Sequence, residues 1–290
     1  MNVSLIVNPA AGGGRAAREL PGVESELRRA GLRHHTERTW SLEHARELAR
    51  VAADAGELAV AFGGDGLVGA VAGALHGTDG VLGVLPGGRG NDFARVLGIP
   101  LEPQPACRVL SEGLVRELDL GQADGHIFIG IASCGFDSDA NRIANETRIV
   151  RGNLVYTYGA LRALLTWRPA TFTVTLDAGD PLTVTGYTVA AANSKAYGGG
   201  MYLAPDASLE DGQLDVVMTA QVPKLRFLRL LPTVFKGEHV QQPSVLVRRA
   251  SSVRISADRP FTMYADGDPV ATLPVTVRAL PRAVRVMVPA

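Results

Sequence analysis

Cysteine is nearly absent from this chain, with Cys107 and Cys134 the two examples in 290 residues. They form neither a redox CxxC nor a zinc-ligand spacing, so two buried thiols in a reducing compartment are expected. Excess charge is missing as well. Lys and Arg total 29 and so do Asp and Glu, so the overall balance makes no electrostatic case for nucleic acid as a bulk partner, while a local basic patch stays open. No nucleic-acid partner is expected. The six histidines, His34 and His35 among them, show no metal-ligand spacing. No apolar run approaches the ~18 residues of a membrane span. The opening MNVSLIVNPAAGGG lacks the basic segment of a signal peptide and reads as a first strand. The expected location is cytoplasmic, with peripheral contact at the inner face of the membrane left open.

What is present is an ordinary globular balance, 46% apolar and 20% charged, long enough for two domains or one large α/β domain. Up to about residue 120, strand-like and helix-like segments alternate. VSLIVN leads into Asn8-Pro9 and the glycines Gly12 to Gly14. AARELPGVESELRRAGL is partly helical, with Pro21 and Gly22 breaking its start. SLEHARELARVAADAG reads as a helix capped by Ser41. LAVAFG is a buried strand before a helix that starts near Leu67, and VLGVLPGG is another strand and turn. This alternation predicts a parallel sheet covered by helices on both faces. Past residue 118 the grammar changes to short β-branched runs such as TFTVTLD, SVRISAD and AVRVMV, separated by Gly, Pro and Asp-Gly turns, as in a β-sandwich. NLVYTYGALRALL and PKLRFLRLLPTVF interrupt them as helices. The predicted organisation is an α/β domain over 1–122 and a β-rich domain over 123–290, whose last strand or tail is free to return to the first. The cleft between them is the default site.

Three glycine loops follow successive strands of the first half: NPAAGGGRA, GGDG at Gly63 to Gly66, and LPGGRGNDFAR. Glycines let the backbone approach a ligand closely, and the helix after each loop points N–H groups at an anion. Arg89 adds a guanidinium suited to phosphate. Asp65 fits such a loop as the partner of a cation or hydroxyl, because Mg²⁺ between carboxylate and phosphate turns repulsion into a bridge. Loops at successive strand ends lie side by side along the carboxyl edge of a parallel sheet, where open α/β sheets bind ligands. A Walker A loop and a G-x-G-x-x-G fingerprint are both missing, which disfavours a simple dinucleotide oxidoreductase. The second half adds two acidic turns. One holds Asp206, Glu210 and Asp211, and the other Asp266, Gly267 and Asp268. On spacing alone both read as hairpin turns with solvated acids.

Taken in order, NPAAGG, GGDG, PGGRGNDFAR, LDLG, CGFDSDA, YGGGMYLAPDASLEDGQLDVV, KGEHV and ADGD resemble the soluble bacterial diacylglycerol kinase family over essentially the whole chain. That family shares its catalytic core with sphingosine kinases and, more remotely, with NAD kinases and phosphofructokinases. The resemblance implies a Rossmann-like N-terminal domain and a C-terminal β-sandwich. It also implies transfer of the ATP γ-phosphoryl group to a lipid hydroxyl, that of diacylglycerol or a related lipid, with Mg²⁺ as cofactor. It assigns ATP to Asn8, Pro9, Gly12, Thr39 (Thr36 as the alternative), Gly63, Gly64, Asp65, Gly66, Leu67, Gly69, Gly88, Arg89, Asn91 and Asp92. It places a structural Mg²⁺ at Ser208, Asp211 and Gln213, the first and last through carbonyls. Asp268 falls where the family carries a glutamate as proton acceptor, and Asp266 precedes it in the same turn. Asp65, Asp266 and Asp268 are therefore the catalytic candidates.

The chain departs from the family at Leu67, Gly69 and Ala70, where Thr, Asn and Glu are usual, and at Arg89, where a threonine is usual. Two other readings stay open: a kinase for a soluble acceptor such as NAD, and a nucleotide- or lipid-binding protein with impaired catalysis. KLRFLRLLPTVFKGEH combines four cations with apolar residues, a composition that suits either a lipid interface or a docked helix. A homodimer is also left open.

Overall fold

The computed structural model describes residues 2–147 and 154–290. Four parallel strands open the chain: β1 (Asn2–Val7), β2 (Arg33–Arg38), β3 (Leu58–Gly63) and β4 (Val81–Pro86), in the order β4-β3-β1-β2. β3 is buried along its whole length and β1 at all but its first residue, as expected where helices cover both faces of a parallel sheet. β2, with the polar sequence RHHTER, is the largely exposed edge. The covering helices are α1 (Ala11–Arg29), α2 (Leu42–Asp54), α3 (Asp65–Leu75), the short α4 (Asp92–Val96) and α5 (Pro103–Glu112).

Two local expectations need correction. Pro21 does not break α1, because Ala16, Leu20, Val23 and Leu27 anchor the helix on the sheet through that position. The irregularity lies earlier, at Gly12, Gly13 and Gly14, which all have positive φ. α3 begins at Asp65 rather than Leu67, so the acidic residue occupies the first turn of the helix.

The remaining strands are β5 (Leu114–Ala123), β6 (His126–Phe128), β7 (Ile131–Gly135), β8 (Ala170–Leu176), β9 (Leu182–Ala192), β10 (Leu214–Ala220), β11 (Val245–Ala250), β12 (Ser252–Ala257), β13 (Thr262–Ala265), β14 (Asp268–Thr272) and β15 (Val275–Val288). Their mutual pairing is antiparallel. Three helices interrupt them: α6 (Phe136–Glu146), α7 (Leu154–Thr166) and α8 (Lys224–Val234). Asn153, the first residue of the expected second-half helix, lies outside the described residues.

Two large apolar cores result. One surrounds Leu5, Phe62 and Leu85, and the other Phe128, Phe172 and Tyr187. β15 joins them. Its first half pairs with β12 and places Val275 and Val277 in the second core, while Arg285 and Val286 lie parallel to β4 and Val284, Val286 and Val288 enter the first. Both cysteines are buried and free, and burial pushes the Cys107 thiol up to about 12.

Candidate active site

The three glycine loops meet backbone to backbone at the carboxyl edge of β1, β3 and β4. The Gly63 carbonyl accepts from the N–H groups of Gly87 (2.7 Å) and Gly88 (3.0 Å), and Asn8 N–H donates to the Phe62 carbonyl (3.1 Å). Gly12 sits at φ 61°, and a Cβ there would lie 2.5 Å from the Gly87 carbonyl oxygen. A Cβ on Gly88 would collide with the Gly64 Cα. These contacts, rather than turn geometry alone, demand glycine. Asn91 adopts φ 50° and does not cap α4. Its side chain instead closes the third loop, accepting from Gly88 N–H (2.9 Å) and donating to the Gly88 carbonyl (3.1 Å).

Asp65 and Asp92 stand where these loops face the second half of the chain. Asp65 Oδ1 accepts from Phe93 N–H (3.0 Å), and Asp92 Oδ2 accepts from Gly199 N–H (2.8 Å). Gly198, Gly199 and Gly200 all have positive φ, which turns the Gly199 N–H toward the first half. The Oδ1 of Asp92 is buried and has no hydrogen-bond partner. Burial raises the pKa of Asp65, the nearby Asp92 charge adds to this, and the Phe93 N–H opposes both.

Asp266 completes the group. Asp266 and Gly267 form the two-residue turn between β13 and β14, with φ 50° and 93°. Positive φ at both positions is the demand of a type I′ hairpin, which Asp-Gly meets. The carboxylate reaches across to the segment before β7 and accepts from the N–H groups of Ile129 (2.8 Å), Gly130 (2.9 Å) and Ile131 (3.2 Å). Burial nevertheless pushes its pKa up to about 7, with the charge of Asp65 contributing and the three N–H groups opposing. Asp268, one residue past the turn, is exposed.

Asp65, Asp92, Asp266 and Arg89 line one end of a cavity of about 930 Å³. The rest of the wall is mostly apolar, with Phe136, Leu161, Phe227 and Leu231 from α6, α7 and α8. Such a size and polarity suit an amphipathic organic ligand. Asp268 does not line it.

The other candidates divide in the same way. Thr39 is buried at the end of β2, where its N–H donates to the Val7 carbonyl beside the first loop. Thr36 lies within β2 and donates to Glu24 (2.7 Å), so the edge position belongs to Thr39. Gly69 faces Asp266, since a Cβ there would lie 3.5 Å from Oδ2. Leu67 is 3% exposed and packs under Gly63. Ser208, Asp211 and Gln213 form a turn outside the cavity. There Asp211 Oδ1 accepts from Gln213 N–H (3.0 Å), and Arg249 lies 3.9 Å from Oδ2. Among the described residues, no three His, Cys, Asp or Glu side chains form a ready metal cage.

Two features of the site were missed by sequence reasoning. The amides of Ile129, Gly130 and Ile131 carry no side-chain signal. Asp137 lines the apolar part of the cavity beside Thr188, whose hydroxyl donates to Oδ1 (3.3 Å), while Oδ2 has no partner. CGFDSDA contains it, but no residue type near in sequence reveals its surroundings.

Comparison with known proteins decides the family. Residues 2–123 match the diacylglycerol kinase catalytic domain, and residues 130–288 the YegS C-terminal NAD kinase beta sandwich-like domain. A diacylglycerol kinase of Mycobacterium tuberculosis (strain ATCC 25618 / H37Rv) is 35% identical over 99% of this chain and 95% of its own. The chain belongs to the diacylglycerol kinase family. A second member, the Bacillus subtilis (strain 168) diacylglycerol kinase, is 30% identical over 98% of this chain and 95% of its own. Membership makes the protein a phosphotransferase with an alcohol acceptor. The fold agrees with it. The crystal structure of a diacylglycerol kinase from Bacillus anthracis str. Sterne superposes with a TM-score of 0.76 at 22% identity, covering 99% of this chain and 96% of that one. An NAD kinase from Archaeoglobus fulgidus shares the fold more distantly, with a TM-score of 0.54 at 12% identity over 99% and 93% of the two chains. Among the described residues, no helix is long and apolar enough to cross a membrane.

Proposed function

We propose that the protein is an ATP-dependent lipid kinase. Residues 1–122 hold the nucleotide, residues 123–290 hold the acceptor, and the γ-phosphoryl group passes to the hydroxyl of diacylglycerol or a related lipid. The observation that carries this reading is the union of three glycine loops, three carboxylates and a largely apolar cavity in one site.

The loops offer backbone N–H groups to the phosphates, with Arg89 at the cavity rim supplying a positive charge in place of the missing hydroxyl. Asp65 and Asp92 are suited to Mg²⁺, because the Asp92 Oδ1 accepts no hydrogen bond, with Arg95 Nε 4.0 Å away, and burial sets a cost on the Asp65 charge. Two carboxylates with substrate phosphates are a usual Mg²⁺ environment, and the ion when bound neutralises charge on the outer phosphates. Asp266 accepts the hydroxyl proton of the acceptor. The acceptor oxygen forms its bond to the γ-phosphorus, the bond to the β–γ bridging oxygen breaks, and ADP leaves. A carboxyl titrating near 7 is matched to that task, which is worth ~10²–10⁴ in rate. The exposure of Asp268 favours Asp266 over it, although Asp268 holds the family's position. A second Mg²⁺ at Ser208, Asp211 and Gln213 would lie outside the cavity and act on stability.

The test is transfer from γ-labelled ATP with Mg²⁺ to diacylglycerol dispersed in detergent, read as label in the organic phase. Labelled lipid that disappears in Asp65→Asn supports the reading. Label on NAD or another soluble acceptor, with none on lipid, would overturn it.

A further inference from the structure

Metal binding and proton transfer use the acid end of the cavity and leave a polar group unused in its apolar half. Asp137 stands in the first turn of α6 and lines that half with Phe136, Leu161 and Phe227. Its Oδ1 accepts from the Thr188 hydroxyl (3.3 Å), and the Ser133 hydroxyl also bonds to the carboxyl. Its Oδ2 is buried and has no partner. Leaving a buried polar atom bare costs more than a made hydrogen bond returns, so such an atom on a cavity wall asks for a ligand group.

The groups that hold this carboxyl are neutral: the hydroxyls of Ser133 and Thr188 and the Ser138 N–H. The Cys134 thiol and the Tyr197 phenol feel its charge and are themselves kept protonated by burial. Burial pushes the Asp137 carboxyl up to about 6, and an apolar ligand that displaces water from the cavity favours the neutral acid further. A neutral acid in an apolar site is a hydrogen-bond donor. With Thr188 occupying Oδ1, the proton falls to Oδ2, the oxygen without a partner.

Position narrows what would receive that hydrogen bond. Asp266 is held by the amides of Ile129, Gly130 and Ile131 at the start of β7, and the Asp137 carboxyl bonds back to Ser133 farther along the same strand. From Gly130 to Ser133 is about 10 Å of strand, and a hydrogen bond of about 2.8 Å at each end leaves about 4–5 Å for the ligand. That is the span between the free hydroxyl of a glycerol and its neighbouring ester carbonyl.

We propose that Asp137 and Thr188 form an ester subsite, in which the neutral carboxyl of Asp137 donates from Oδ2 to an acyl ester carbonyl of the acceptor while its Oδ1 accepts from Thr188. The subsite selects ester-linked glycerolipids over ether-linked ones, which lack the carbonyl. This rests on the lipid-kinase reading of the cavity. The test compares dioctanoylglycerol with its di-O-octyl ether, both dispersed in the same detergent. In the wild type KM is lower for the ester by at least about tenfold, since the ether leaves a buried donor unpaired. Asp137→Asn keeps that ratio, because its amide donates where the neutral acid did and its oxygen still accepts from Thr188. Asp137→Leu brings the ratio close to one. If Asp137→Leu impairs folding in a thermal melt, Thr188→Val carries the test, narrowing the ratio by freeing Oδ1 to share the proton. Binding is read apart from turnover, from the infrared carbonyl band of dioctanoylglycerol with isotope-labelled carbonyls. A band lowered in frequency on the wild type and Asp137→Asn, and restored on Asp137→Leu, supports the subsite. Equal KM for ester and ether in the wild type, or the same band on all three proteins, would overturn it. A lower KM for sphingosine than for the ester would overturn it too, as Asp137 would then be a carboxylate paired with an amine. A lowered band with no phosphate transferred to either lipid would overturn the kinase reading and leave the subsite standing.

Discussion

The two acidic turns of the second half look alike in sequence and differ in what surrounds them. At Ser208–Gln213, positive charge is already supplied. Arg249 approaches Asp211 and Asp215, and Arg116 is paired with Glu210. At Asp266, the charge of another carboxylate, Asp65, raises the pKa, and the half-buried group is held by backbone N–H donors. An acid turn with its own arginines has much of its charge balanced within the fold, away from the cavity. A buried acid facing a second acid is held in an unfavourable state that a cation or a proton relieves, and such groups mark functional sites.

The strongest way to break this contrast is to neutralise each turn in turn. Asp266→Asn should lower turnover by ~10²–10⁴, whereas Asp211→Asn should leave it within a few-fold, measured as initial rates of phosphoryl transfer. Equal losses would show that the environments do not separate the roles. The pH profile sharpens the same point. A proton acceptor must be ionised, so activity should rise with pH through about 7 and level off above it. If Asp268 were the acceptor instead, Asp268→Asn would abolish activity and Asp266→Asn would leave most of it.

A smaller effect is expected at the nucleotide edge. Gly88→Ala drives a methyl into the Gly64 backbone and separates the second and third loops. Nucleotide affinity should fall by at least about tenfold, equivalent to ~1.4 kcal/mol, and the thermal midpoint should fall with it, since the buried methyl meets backbone. Calorimetric titration of a nonhydrolysable ATP analogue checks it.

These contrasts show what was legible in the sequence. The parallel sheet was legible because VSLIVN and LAVAFG are continuous apolar runs with glycine turns behind them, and local pattern sets both burial and connection there. The meeting of the loops was legible for the same reason, since successive parallel strands deliver their ends to one edge. Which of Asp266 and Asp268 faces the cavity was not. It depends on the amides of Ile129 to Ile131, over 130 residues away, and no local pattern encodes which carboxylate a hairpin turns inward. Pro21 was misread because propensity weighs a proline against its neighbours alone, whereas four buried side chains hold α1 on the sheet. Asp137 was not legible as a cavity residue, because Thr188, which donates to it, lies on β9, 51 residues away.

The smallest effect concerns that residue and tests whether burial alone, without a second acid, also leaves a mark. Burial pushes the Asp137 carboxyl up to about 6, opposed by the Ser133 and Thr188 hydroxyls. In the unfolded chain it titrates near 3.8. Between these values the folded state binds more protons than the unfolded state, so the protein loses stability as pH rises from about 4 to 6 and keeps that loss above 6. Asp137→Asn retains a carbonyl oxygen for Thr188 and removes the titration. It should therefore raise stability relative to wild type at pH 8 by an amount on the order of 1–2 kcal/mol, and by less at pH 4.5. Urea denaturation of both proteins at the two pH values measures the difference. A gain of the same size at both would mean that packing, not the buried charge, is what the substitution relieves.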